Sequence, residues 1–304
     1  AATAAFVAYY PLYTSKIEYG EGAPSAEFQK SGWLSSWCAK RVGFKYKLHK
    51  CSKTDFQNVN LAIFGIVPHG GFSMGHFLFG ASNTHGFWTD VYTKPKRSLS
   101  AAALFKIPIV REIALLVGGI DAGKPTATAA LQQGLSLTVV PGGVMGQALT
   151  KSGKAGMYVK KRKGFCKLAL EHGASLVPVY IFGETLLTKD LSLMRPVSKF
   201  LAQKLWIGIP PQYGFCGFLP FKPPNGLVAV VGKPIIVKKM ENPDWDKDVL
   251  PLHSKFLAAL EQLYNDNRKE HGYDGIPLVD FADLQSKGAA ATGKKKKKDS
   301  KKNN

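Results

Sequence analysis

Short apolar runs without polar alternation recur along this chain, and they constrain its fold more than any other feature. Val59–Val67 (VNLAIFGIV), Leu135–Val140 (LSLTVV), Ser175–Phe182 (SLVPVYIF) and Leu227–Val231 are all of strand length and free of charge. A strand with one face in water alternates apolar and polar residues, whereas a strand covered on both faces does not. Segments of helical character separate these runs. Pro125–Gln133 has Pro125 suited to a first turn and Gly134 to an end. Lys163–His172 places Phe165, Leu168 and Ala169 on one face, with Gly173 just beyond. Asp248–Lys269 reads as a long closing helix. Together they predict an α/β fold, a mostly parallel sheet with helices on both faces. Ligands gather at the carboxyl ends of strands in such sheets. Two glycine-rich breaks fall there, Pro68-His69-Gly70-Gly71 after Val67 and Pro141-Gly142-Gly143 after Val140.

The 304 residues suffice for one large domain or two small ones, and no internal repeat is visible. The net charge is +20, of which Lys294–Lys302 carries +6, leaving +14 on the body. A body so basic favours anionic partners: nucleic acid, lipid headgroups or the phosphates of CoA. No nucleic-acid-binding signature accompanies the charge, and the aromatics lie in apolar stretches, so nucleic acid is not expected. The four cysteines form no CxxC pair and no zinc spacing; single thiols suit a reducing compartment, and no metal is expected. The uncharged stretches, such as Phe56–Thr89, are too rich in Gly, Asn, Ser and His to be clean spans of about 20 apolar residues. The expectation is a chain lying on a membrane, or one whose spanning segment lies upstream. Leu205–Phe221 is uncharged, aromatic and broken by proline and glycine, with Lys199, Lys204 and Lys222 around it. It is either a packed loop or a surface that dips into lipid.

Three groups carry chemistry. His69 sits at a strand end before two glycines, where it is either a loop residue or a general base. Pro141-Gly142-Gly143 is either a tight turn or a set of backbone N–H groups facing an oxyanion or phosphate. Lys160-Lys161-Arg162-Lys163 places four cations at the start of a helix, where the dipole disfavours them. A solvated face or an anionic ligand accounts for that.

Taken in order, these residues resemble a known family. Pro68-His69-Gly70, Ile107-Pro108-x-Val110-Arg111-Glu112 ahead of Gly118-Gly119, Pro141-Gly142-Gly143, Arg162-Lys163-Gly164-Phe165, Leu176-Val177-Pro178-Val179 with Phe182-Gly183-Glu184, and Val231-Gly232-Lys233-Pro234-Ile235 recur in this sequence. The set looks like the type-2 diacylglycerol acyltransferases, with their monoacylglycerol and wax-ester relatives. The resemblance runs from about Phe64 to Ile235 and on towards Lys269.

The resemblance implies a glycerolipid-acyltransferase-like fold and an acyl-CoA-dependent O-acyltransferase, with diacylglycerol to triacylglycerol as the leading reaction. His69 would be the catalytic base, and acyl-CoA a co-substrate with no further cofactor. Pro68, Gly70, Gly71, Arg111, Pro141, Gly142, Gly143, Arg162, Lys163 and Glu184 would line the substrate site, Arg162 and Lys163 being suited by charge to CoA phosphates. Met74 and Gly143 stand where glycerophosphate acyltransferases carry acidic residues, which favours a neutral acceptor. One departure stands out: the family Glu three residues after Pro-Gly-Gly is Gly146 here, followed by Gln147. Gln147 is expected to orient the His69 ring in its place, with Glu112 or Glu184 supplying charge; the alternative is a catalytically impaired protein that binds acyl-CoA or lipid. The expected division is an N-terminal, membrane-proximal region 1–58, an acyltransferase domain 59–275, and a segment 276–304 ending in a disordered lysine tail. Lys301-Lys302-Asn303-Asn304 resembles a dilysine signal. Together with the family resemblance, it leads to an expected location on the cytosolic face of the endoplasmic reticulum or on lipid droplets.

Overall fold

The structure, a computed structural model, describes residues 9–11, 13–20, 33–81, 85–205, 208–217 and 219–283. The lysine tail and its dilysine ending lie outside the described residues, as do residues 206, 207 and 218 of the aromatic segment.

A seven-stranded sheet organises the chain. Its strands are β1 (Lys45–Leu48), β2 (Ala62–Val67), β3 (Lys96–Ser100), β4 (Gly119–Asp121), β5 (Ser136–Val139), β6 (Ser175–Phe182) and β7 (Val228–Val231). They lie side by side in the order β1-β7-β6-β2-β5-β3-β4. Every neighbouring pair is parallel except β7 with β6, which is antiparallel. The four apolar runs became β2, β5, β6 and β7, and every residue of the two central strands β2 and β6 is buried. The polar strands β1 and β3 and the three-residue β4 carry no such run.

The principal helices are α1 (Trp33–Val42), α2 (Thr54–Gln57), α3 (Val110–Leu116), α4 (Lys124–Gln132), α5 (Gly143–Leu149), α6 (Gly164–His172), α7 (Arg195–Lys204) and α8 (Leu250–Asn267). One face of the sheet is covered by α4, α6 and α8, which bring Leu131, Cys166, Phe256 and Leu260 against Ile63, Leu137 and Leu176. The other is covered by α1, α2 and two π-helical turns, His76–Ala81 and Phe87–Val91, around Phe64, Phe79, Phe87 and Trp88. Burying each such side chain contributes about 1.5–3 kcal/mol.

The expected boundary after residue 58 falls inside this architecture. β1 pairs with β7, and Glu18 bonds to Arg111, so the N-terminal region is stitched into the sheet domain. At the other end, Val279–Asp280 pairs with Gly156–Met157. In the aromatic segment Gln212–Tyr213 pairs with Lys189–Asp190, and the backbone then folds back on itself between Gly214 and Leu219. Among the described residues no helix is long and apolar enough to cross a membrane.

Candidate active site

Strands β6, β2 and β5 are neighbours, so the segments leaving their carboxyl ends converge. These are Gly183-Glu184, Pro68-His69-Gly70-Gly71 and Pro141-Gly142-Gly143, brought together from widely separated parts of the sequence.

His69 is half-buried at the end of β2, after a cis Val67–Pro68 peptide. Its Nδ1 lies 3.0 Å from the carbonyl oxygen of Gly70. A carbonyl only accepts, so Nδ1 carries the proton and Nε2 is the bare, basic nitrogen. Burial pushes the imidazole pKa below its ordinary 6.5, which keeps it neutral and able to accept a proton.

Glu184 holds the turn from beneath. It is fully buried; Oε1 accepts the Met74 N–H at 3.0 Å and Oε2 the Gly75 N–H at 2.7 Å. Gly70 has φ of 68°, and a Cβ on it would sit 2.3 Å from Glu184 Oε1, so backbone conformation and space both require glycine. Desolvation outweighs the two hydrogen bonds and raises the Glu184 pKa to about 8, so the carboxyl is neutral at neutral pH. Glu184 is therefore a positioning residue, neither the substrate contact expected for it nor a source of negative charge for His69.

Helix α5 forms the adjoining wall. A Cβ on Gly146 would lie 3.4 Å from His69 Cβ, which places the position of the family Glu directly against the imidazole residue. Gln147 turns elsewhere. Its Nε2 donates to the Gly71 carbonyl at 2.8 Å, and its Oε1 faces the backbone at Gly208. Among the described residues, the ring proton of His69 is taken by Gly70, so the orienting role expected of Gln147 belongs to that carbonyl. Gln147 secures the turn instead.

Pro141-Gly142-Gly143 is a tight turn, its Gly143 N–H donating to Val140 at 3.0 Å. That amide is thus spent within the turn rather than facing an oxyanion. The site of a Gly142 Cβ is 3.7 Å from Tyr158 Cβ, and the Tyr158 ring lies 5.4 Å under the Arg162 guanidinium. Arg162 thereby approaches the site, with half-buried Lys163 beside it at the start of α6. Lys160 instead pairs with Asp283 at 2.6 Å.

Arg111 does not join this constellation. It is 2% exposed, and its guanidinium is held by Glu18 at 2.8 Å, Glu112 at 3.0 Å and Ser15 at 3.1 Å. Those bonds consume the charge that a substrate would need, so Arg111 ties the N-terminal segment to α3. Glu112 is occupied by the same ion pair and by the Ile109 N–H, and so does not serve His69.

A further cluster carried no motif in the sequence. His76 Nε2 lies 3.1 Å from Thr138 Oγ1, which bonds Ser98 Oγ at 2.7 Å. Burial, then the neighbouring His69, pushes the His76 pKa to about 4. Nothing in local sequence links a turn residue to strands β5 and β3.

Fold and site define a class: an α/β protein with a neutral histidine at the carboxyl edge of a mostly parallel sheet, next to a cationic helix start. The chain matches the diacylglycerol acyltransferase family over residues 4–279 and belongs to it. Diacylglycerol O-acyltransferase 2 of Danio rerio is 31% identical, covering 86% of this chain and 76% of that protein. 2-Acylglycerol O-acyltransferase 1 of Bos taurus is 28% identical, covering 86% and 82%. Diacylglycerol O-acyltransferase 1 of Eremothecium gossypii is 33% identical over 71% of this chain, which spans 49% of that protein's length. Among solved structures, a 1-acyl-sn-glycerophosphate acyltransferase from Thermotoga maritima is 15% identical, with a TM-score of 0.45 over 83% of this chain and 79% of that one.

Proposed function

We propose that this chain transfers an acyl group from acyl-CoA to the free hydroxyl of a neutral glycerolipid, with diacylglycerol to triacylglycerol as the leading reaction. The observation that carries the mechanism is the His69 tautomer. With Nδ1–H donated to Gly70, Nε2 is free to take the acceptor's hydroxyl proton. The oxygen then attacks the thioester carbonyl, the C–S bond breaks, and the imidazolium returns its proton to the CoA thiolate. The ester and free CoA leave, the protein is unchanged, and no cofactor takes part. Arg162 and Lys163 are the groups suited to the CoA phosphates.

The acceptor is a membrane lipid, so the reaction belongs at a membrane surface, with the endoplasmic reticulum and lipid droplets as the expected places. Imaging a tagged chain against markers of both tests that location. The activity is tested by expressing the chain in a cell without neutral-lipid synthesis and identifying the lipid formed. Triacylglycerol from the parent but not from His69→Ala supports the reading. Acyl-CoA binding without turnover by the parent would mean a binding protein instead.

A further inference from the structure

Helix α7 is packed in the reverse of the usual sense. A surface helix ordinarily buries its large apolar residues and shows polar ones to solvent. In α7 the residues turned inward are Ser198 and Ala202, both buried where the helix packs on α5. Leu201 is half-buried, but three large apolar residues face out: Phe200 is 58% exposed, Val197 is exposed, and Leu193, in the turn Ser192–Met194 that leads into the helix, is 86% exposed. The spacing 193, 197, 200 runs along one side of the helix. Isolated exposed apolar residues are common, but a continuous stripe of large ones marks a docking surface.

The charge around the stripe says what docks there. Lys199 and Lys204 are exposed on the same helix. The acid of this region, Asp190, is engaged by Arg195 at 2.7 Å, by Gln212 and by the Ser152 N–H. An apolar stripe edged by exposed lysines that form no salt bridge among the described residues complements the acyl and headgroup zones of an anionic bilayer.

The helix is also wired to the site. Arg195 Nη1 donates to the Thr150 carbonyl at the end of α5 at 3.1 Å, and Gly208, just beyond α7, abuts Gln147. Helix α5 in turn carries Gly146 against His69. One helix thus separates the stripe from the reactive histidine.

We propose that α7 and the turn before it form an in-plane anchor that seats the His69 site on a lipid surface bearing anionic headgroups, with acceptor lipid arriving along the α5–α7 side. The anchoring stands on the stripe and its charges alone; the delivery of acceptor rests on the acyl-transfer reading.

The test uses the full chain and vesicles of phosphatidylcholine, with and without phosphatidylserine. Leu193→Ser combined with Phe200→Ser should weaken vesicle binding on the order of tenfold or more. Both positions are exposed, and unchanged circular dichroism and melting temperature confirm that folding is intact. Lys199→Ser with Lys204→Ser should keep the neutral-vesicle binding and lose on the order of tenfold of the gain given by phosphatidylserine. For delivery, the Leu193/Phe200 variant should lose turnover of a long-chain diacylglycerol held in vesicles and keep that of a water-soluble short-chain one. Undiminished vesicle binding overturns the anchor. So does a lipid-free dimer that the serine variant breaks, because the stripe would then face a second copy. Equal loss with both acceptors overturns delivery. If the parent turns over neither acceptor while the vesicle effects hold, the acyl-transfer reading fails and the anchor survives.

Discussion

An imidazole that accepts a proton must be neutral before it reacts, and the surroundings of His69 keep it so. Burial lowers its pKa from 6.5, so the neutral form persists as pH falls through that value. The acid limb of kcat/KM is expected below pH 6.5, and a pH–rate profile checks it. Replacing the base costs about 10²–10⁴ in rate, so His69→Ala should lose that much while remaining folded; near-parental turnover by purified variant would remove His69 from the chemistry. The missing family Glu makes a second prediction. A side chain at Gly146 begins 3.4 Å from His69 Cβ, an ordinary contact. A carboxylate there favours the imidazolium. Gly146→Glu should therefore move the acid limb to higher pH, and an unmoved limb would mean that the carboxylate points away.

At the scale of elements, two helices have roles that the sequence alone assigns otherwise. Gln147 on α5 donates to Gly71 and holds the turn behind His69. A glutamate of the same shape has no donor and sets a negative oxygen against that carbonyl. Gln147→Glu is expected to be less active and less stable than Gln147→Ala, the reverse of the order for a residue that orients imidazolium. Rates and melting temperatures of the two variants decide between these roles. On α3, the buried Arg111 answers two carboxylates. Removing one member of a buried pair costs about 3–5 kcal/mol, because the partner, here the buried Glu18, is left without compensation. Arg111→Ala should melt well below the parent, while the KM for acyl-CoA of the surviving folded enzyme stays the same. A raised KM at unchanged stability would restore the substrate role.

For the whole molecule, Glu184 ties stability to pH. Its pKa is about 8 in the fold against an ordinary 4.5. Between those values the folded state keeps a proton that the unfolded chain has released, so stability falls as pH rises through that window and is fully present only below it. Denaturant unfolding at several pH values should show this fall in the parent and a shallower one in Glu184→Gln, whatever that variant's absolute stability. Equal slopes would mean that Glu184 is ionised throughout. The fold class was legible in the residues because strands buried on both faces need unbroken apolar runs, as in Val177 to Phe182, and such runs are local. His69 and the turn at Gly142 were legible for a related reason: each lies just past one of those runs. Strands β1, β3 and β4 were not, since Lys45–Leu48 and Lys96–Ser100 become strands through their neighbours rather than through their own composition. The roles of Gln147, Glu184 and Arg111 were out of reach for the same reason. Each polar group is defined by a partner 76, 109 and 93 residues away in the chain, and only the closing of the sheet decides which donor meets which acceptor.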